Sequence, residues 1–119
     1  MLTVGTTVLG VGDVARATAF WTAALDYAPQ DNGDDTWVIL NPQNGNGARL
    51  ALMLSETPVQ LHPRIHLDLW ADNQEAEVQR LLDLGAERVD WDLYPDDADF
   101  IVLADPEGNR FCVVDASGG

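Results

Sequence analysis

The chain has 119 residues, the length of one ordinary domain, and 46% of them are hydrophobic, a normal share for a globular protein. Six Lys and Arg stand against twenty Asp and Glu, a formal charge of -14, which sets the chain against phosphate backbones and anionic membranes. No apolar run approaches the roughly 20 residues of a membrane span, no charged leader with a cleavage pattern opens the chain, and the one cysteine excludes an intrachain disulfide, so a cytoplasmic protein is expected.

Alternation starts at once. Thr7, Leu9 and Val11 point one way and Thr6, Val8 and Gly10 the other, which predicts a strand. Asp13 is placed to cap a helix whose apolar face is Val14, Ala17, Phe20, Trp21, Ala24 and Leu25, with Pro29 ending the run. A short strand is available around Tyr27–Asp31. The turn cluster "DNGDD" leads into "TWVIL" (36–40), and "NPQNGNG" leads into "ARLALML" (48–54), two further strands.

The second half repeats that order. "RIHLDLW" (64–70) reads as a strand. Asp72 with Glu75 resembles a capping box, Val78, Leu81 and Leu82 supply a helix face, and Gly85 is a natural stop. "AERVDW", "DFIVLA" and "RFCVV" read as three strands. The expected fold class is therefore α+β: two βαβββ modules, about 3–56 and 64–116, joined by "TPVQLHP" within a single domain over 1–119. Placed side by side, they would share one curved mixed sheet, a cup with the helices on its convex side. Period-2 alternation puts Ile65, Leu67, Leu69, Phe111 and Val113 under the helices. It puts His66, Asp68, Trp70, Arg110, Cys112 and Val114 in the cup.

These stretches resemble the glyoxalase/bleomycin-resistance/extradiol-dioxygenase superfamily, also called vicinal oxygen chelate, and more narrowly its short glyoxalase-like domain proteins of the actinobacterial type. "VLGVGDVARATAFW" is similar to that fold's first strand and helix, and "HLDLWAD" to its fifth strand. "RVDWDLYPDDADFIVLADPEGNRFCVV" is similar to the final meander and is the most specific match. The resemblance implies paired modules and a homodimer. It also implies four metal-ligand positions, which fall on Thr6, on or next to Ala51, on His66 and on Cys112. Only His66 keeps the residue type, and one His with one Cys is too few for a three- or four-ligand site. The expectation is a protein without cofactor, a divalent metal being disfavoured.

The candidate ligand-binding residues are His66, Asp68, Trp70, Arg110 and Cys112; no catalytic residue is assigned. An aspartate two residues from a histidine could orient it for proton transfer, but a hydrogen-bonded pair lining a wet cavity reads the sequence better. Cys112, between Phe and Val, reads as an inert thiol, and His62 as an exposed linker residue. Trp21 belongs to a helix core, Trp37 and Trp91 could each wall the cup, and Trp70 is the best candidate for ligand contact. There is no CxxC, GxSxG, HExxH or phosphate loop. The expected function is binding of a small, cationic aromatic molecule. One alternative is a metal-dependent lyase, isomerase or dioxygenase with an unusual ligand set; another is a scaffold without a small ligand.

Overall fold

The computed structural model describes residues 1–117. It has two compact units, Met1–Pro58 and from Val59 onward, and the break lies inside the segment read as the joint.

The first unit runs β1 (Thr6–Val11), α1 (Val14–Leu25), β2 (Tyr27–Pro29), β3 (Trp37–Pro42) and β4 (Arg49–Leu54). Its sheet has the order β1-β4-β3-β2, with β1 parallel to β4 and the other neighbours antiparallel. Asp13 caps α1 by accepting a hydrogen bond from the Arg16 N–H, and Val14, Ala17, Phe20, Trp21 and Ala24 are its buried face. The helix stops before Pro29 acts: Asp26 takes a left-handed conformation (φ 55°), and its N–H reaches back to the Thr22 carbonyl. Aspartate tolerates that region better than most residues.

The second unit repeats the plan with β5 (Asp68–Ala71), α2 (Gln74–Asp83), β6 (Glu87–Arg88), β7 (Phe100–Ala104) and β8 (Arg110–Asp115). Its order, β5-β8-β7-β6, is that of the first unit, again with the one parallel pair between first and last strands. Val78 and Leu81 of α2 are buried, as are Leu103, Phe111 and Val113 of the sheet it covers, whereas Leu82 is only half-buried. Gly85 (φ 118°) ends the helix. Its N–H bonds the Leu82 carbonyl and the Ala86 N–H bonds that of Leu81, the double closure that needs a left-handed residue at this point.

The larger departures from the sequence reading lie in the second unit. The N-cap of α2 is Asn73, which accepts from the Ala76 N–H, not Asp72. β6 is only two residues long; Val89 still donates to the Val102 carbonyl, and the chain then leaves the sheet in a stretch of acids broken by Pro95. β5 begins at Asp68 rather than residue 64, and Ile65, expected beneath the helix, is 84% exposed. The cause is the length of its partner. β8 starts at Arg110, and Asp68 is already opposite Cys112, so Arg64 and Ile65 have no ladder to join.

The turn 104–109 sets where β8 starts. Asp105 is 3% exposed, and one of its carboxylate oxygens accepts from the N–H groups of Glu107 (2.9 Å) and Asn109 (2.8 Å). Its own N–H donates to the Asn109 carbonyl. Gly108 (φ 89°) supplies the left-handed residue that lets the chain return. The turn thereby fixes the phase of Arg110, Cys112 and Val114.

Candidate functional site

The register of the second sheet builds the site. Asp68 is opposite Cys112, and Cys112 is opposite Val102; Trp70 is opposite Val114, and Val114 is opposite Phe100. These are two adjacent rows of one sheet face, because successive pairs at spacing two share a face. Arg110 extends the face by one step along β8, in register with Ala104. Leu69, Phe111 and Val113 alternate with these residues and belong to the opposite face, and Phe111 also borders the cavity.

The rows floor a cavity of about 480 Å³. All five candidate residues, His66, Asp68, Trp70, Arg110 and Cys112, line it. Phe100 and Val102 line it too, which the sequence reading did not assign. The signal was present: Phe100 and Val102 alternate with Ile101 and Leu103 just as Cys112 and Val114 alternate with Phe111 and Val113. Trp91 also reaches the cavity, whereas Trp37, 38% exposed at the start of β3, belongs to the first unit. His62 is exposed but engaged. Its Nε2 lies 2.9 Å from the Asp92 carboxylate and its ring 5.0 Å from that of Trp91, and the contact holds the Asp92 carboxyl below its ordinary range. The pair ties the segment ahead of β5 to the segment after β6, on either side of the cavity.

His66 lies ahead of the strand, with its Nε2 3.0 Å from a carboxylate oxygen of Asp68. Asp68 also meets Cys112. Burial first, then the Asp68 charge and the hydrogen bond from the thiol to that carboxylate, push the Cys112 thiol up to about 11. Cys112 is 8% exposed and both its neighbours in the cluster are exposed. Ligand atoms of His66, Asp68 and Cys112 lie within 4.8 Å of one another. Among the described residues, Arg110 has no side-chain ion pair, and its Nε is shielded from solvent without a partner. Of the two other positions that the resemblance marks, Thr6 opens β1 and Ala51 is fully buried on β4.

Several solved structures share this fold. A possible glyoxalase from Bacillus cereus superposes with a TM-score of 0.72 at 17% identity, over 96% of this chain and 99% of that one. A glyoxalase/bleomycin resistance protein/dioxygenase family enzyme from Burkholderia phytofirmans gives 0.69 at 14% identity, over 93% and 96%. The bleomycin-binding protein of Streptomyces verticillus, solved with copper(II)-bleomycin, gives 0.63 at 15% identity, over 98% of each chain. No curated protein matches the chain. The model of the glyoxalase-like domain matches residues 6–114, from the first residue of β1 to the last but one of β8, and the chain belongs to that family.

Proposed function

We propose that this protein binds a small aromatic molecule in the cavity on the second sheet, without a metal ion and without chemistry of its own. The observation that carries the reading is the composition of that one face: Trp70, Phe100 and Val114 form an apolar row beside the polar row of Asp68 and Cys112. Few polar groups among aromatic walls is the usual make-up of a small-molecule pocket. The carboxylate of Asp68 and the exposed face of Trp70 favour a cationic group on the guest. The Streptomyces protein of the same fold, solved with copper(II)-bleomycin, is a precedent for ligand binding on this scaffold.

The metal-free part rests on donor chemistry. The superfamily's ligand positions at Thr6 and Ala51 offer no charge to offset a dication, which leaves fewer donors than a four-ligand site uses. A homodimer in the cytoplasm is the proposed setting; exposed Leu61, Ile65 and Leu93 are apolar surface that a second copy would cover. The test is titration with aromatic amines followed by tryptophan fluorescence. Trp70→Ala and Asp68→Asn are each expected to weaken binding by about tenfold. Hits indifferent to both substitutions would place the site elsewhere.

A second reading has an observation of its own. His66, Asp68 and Cys112 could form a three-ligand site of a kind suited to zinc, and the protein would then be a metal-dependent lyase, isomerase or dioxygenase. Elemental analysis of protein purified without chelator decides. Well under one equivalent of metal is expected. Near one equivalent, lost in His66→Ala, would overturn the metal-free reading and favour the enzyme instead.

A further inference from the structure

Arg110 is the odd residue of the cavity. The chain has twenty carboxylate side chains for six cationic ones, yet Arg110 pairs with none of them. Arg80, on the exposed face of α2, does find a partner in Glu77, at 2.7 Å. A shielded guanidinium nitrogen without an acceptor is costly, because its water has been removed and nothing replaces it. The fold does not leave it so by accident of flexibility. Arg110 is the first residue of β8, placed by the Asp105 turn and paired with Ala104. Its side chain reaches the same cavity as Asp68 and Trp70.

The order of groups along the face is informative. Arg110 comes first; one step along β8 come Cys112 and its neighbour Asp68; one step further come Val114, Trp70 and Phe100. Each step is two residues, roughly 6.6 Å. Resting on the proposal that this cavity binds an aromatic guest, we infer that the guest carries an oxyanion for Arg110, a donor such as an ammonium or amide N–H for Asp68, and an aromatic body for the Trp70 row, in that order. An aromatic α-amino acid or a close derivative carries all three groups, its carboxylate and ammonium branching from one carbon, so that Arg110 and Asp68 would reach that carbon's two substituents from neighbouring steps of the face. A guanidinium takes a carboxylate through two parallel hydrogen bonds, and it is the terminal nitrogens of Arg110, not its shielded Nε, that would meet a guest in the cavity. The overall charge of -14 would repel a plain anion but acts little on a zwitterion, whose charges cancel at a distance. The acidic protein and the unpaired arginine are then compatible.

Three probes separate the parts: phenylalanine, phenethylamine, which lacks the carboxylate, and 3-phenylpropanoate, which lacks the ammonium. Affinity is read by amide chemical-shift titration of the full chain, which also locates the site. Phenylalanine is expected to bind about tenfold or more tightly than either truncated compound, with shifts at Asp68, Trp70 and Arg110. Arg110→Gln should remove the advantage of phenylalanine over phenethylamine by weakening phenylalanine, and should not weaken phenethylamine, whose ammonium is repelled by the guanidinium. Arg110→Lys should restore part of that advantage, which shows that the loss is not one of folding. Phenethylamine binding as well as phenylalanine, or Arg110→Gln weakening both equally, would overturn the role of Arg110 while the pocket stands. No shift at the cavity with any of the three would overturn the pocket and this inference together.

Discussion

Cys112 is the residue whose chemistry the structure describes most fully. A thiol ordinarily titrates near 9.0, and here burial and the Asp68 carboxylate push it up to about 11. At pH 8 that leaves roughly one thiolate in a thousand, against about one in ten for an unperturbed thiol. Alkylation by iodoacetamide at pH 8 is therefore expected to run about a hundredfold slower in the folded protein than after denaturation. Asp68→Asn removes the charge but not the burial, so it should speed the folded reaction by roughly tenfold or less and leave the denatured rate alone. A parent protein that alkylates equally fast folded and denatured would refute the protected thiol. The same residue shows why a sequence reading reaches only so far. Its place facing the cavity follows from alternation with Phe111 and Val113. Its contact with Asp68 is a cross-strand pair, and no property of either segment alone specifies the register.

At the scale of elements, the helix α2 holds the second sheet from behind through Val78 and Leu81, and the depth of Leu81 sets an energy. It is 3% exposed, and truncating a buried leucine costs roughly 2–5 kcal/mol. Leu81→Ala should lower the melting temperature by about 8 °C or more, and Leu82→Ala, half-buried, by clearly less. Equal losses would mean that the helix face is misassigned. Most elements were legible because each has a local cause: Asp13 for the start of α1, Gly85 for the end of α2, strict alternation for β1 and β8. The misreadings have non-local causes. "RIHLDLW" alternates well, but a strand exists only where β8 offers a partner, so Arg64 and Ile65 stay outside it. "AERVDW" has the β-branched and aromatic content of a strand, yet Trp91 is drawn to His62 and away from the ladder. Asn73 takes the cap expected of Asp72 because both side chains can cap, and one residue of phase decides between them.

Across the whole molecule the same plan is written twice, with the chemistry in one copy. The row Val8, Ala51 and Ile39 of the first sheet has the place that Asp68, Cys112 and Val102 have in the second. The first row is aliphatic, so among the described residues a polar cluster of this kind is found in the second copy and not in the first. What the whole chain contributes to that site is its field. A charge of -14 acts on the net charge of an approaching molecule, whereas Asp68 and Arg110 act on its parts once it is seated. Salt separates these effects, because the Debye length falls from about 30 Å at 0.01 M to about 10 Å at 0.1 M. Phenethylamine, a net cation, should lose affinity several-fold as salt rises from 0.01 to 0.5 M. Phenylalanine, a zwitterion of no net charge, should change by less than about twofold, its contacts being short-ranged and partly desolvated. The difference should persist in Trp70→Ala, which weakens both ligands through the aromatic row but leaves the field intact. Equal salt dependence of the two compounds would mean that the acidic surface does not reach the cavity as a field, and attraction of a cation would then depend on Asp68 alone.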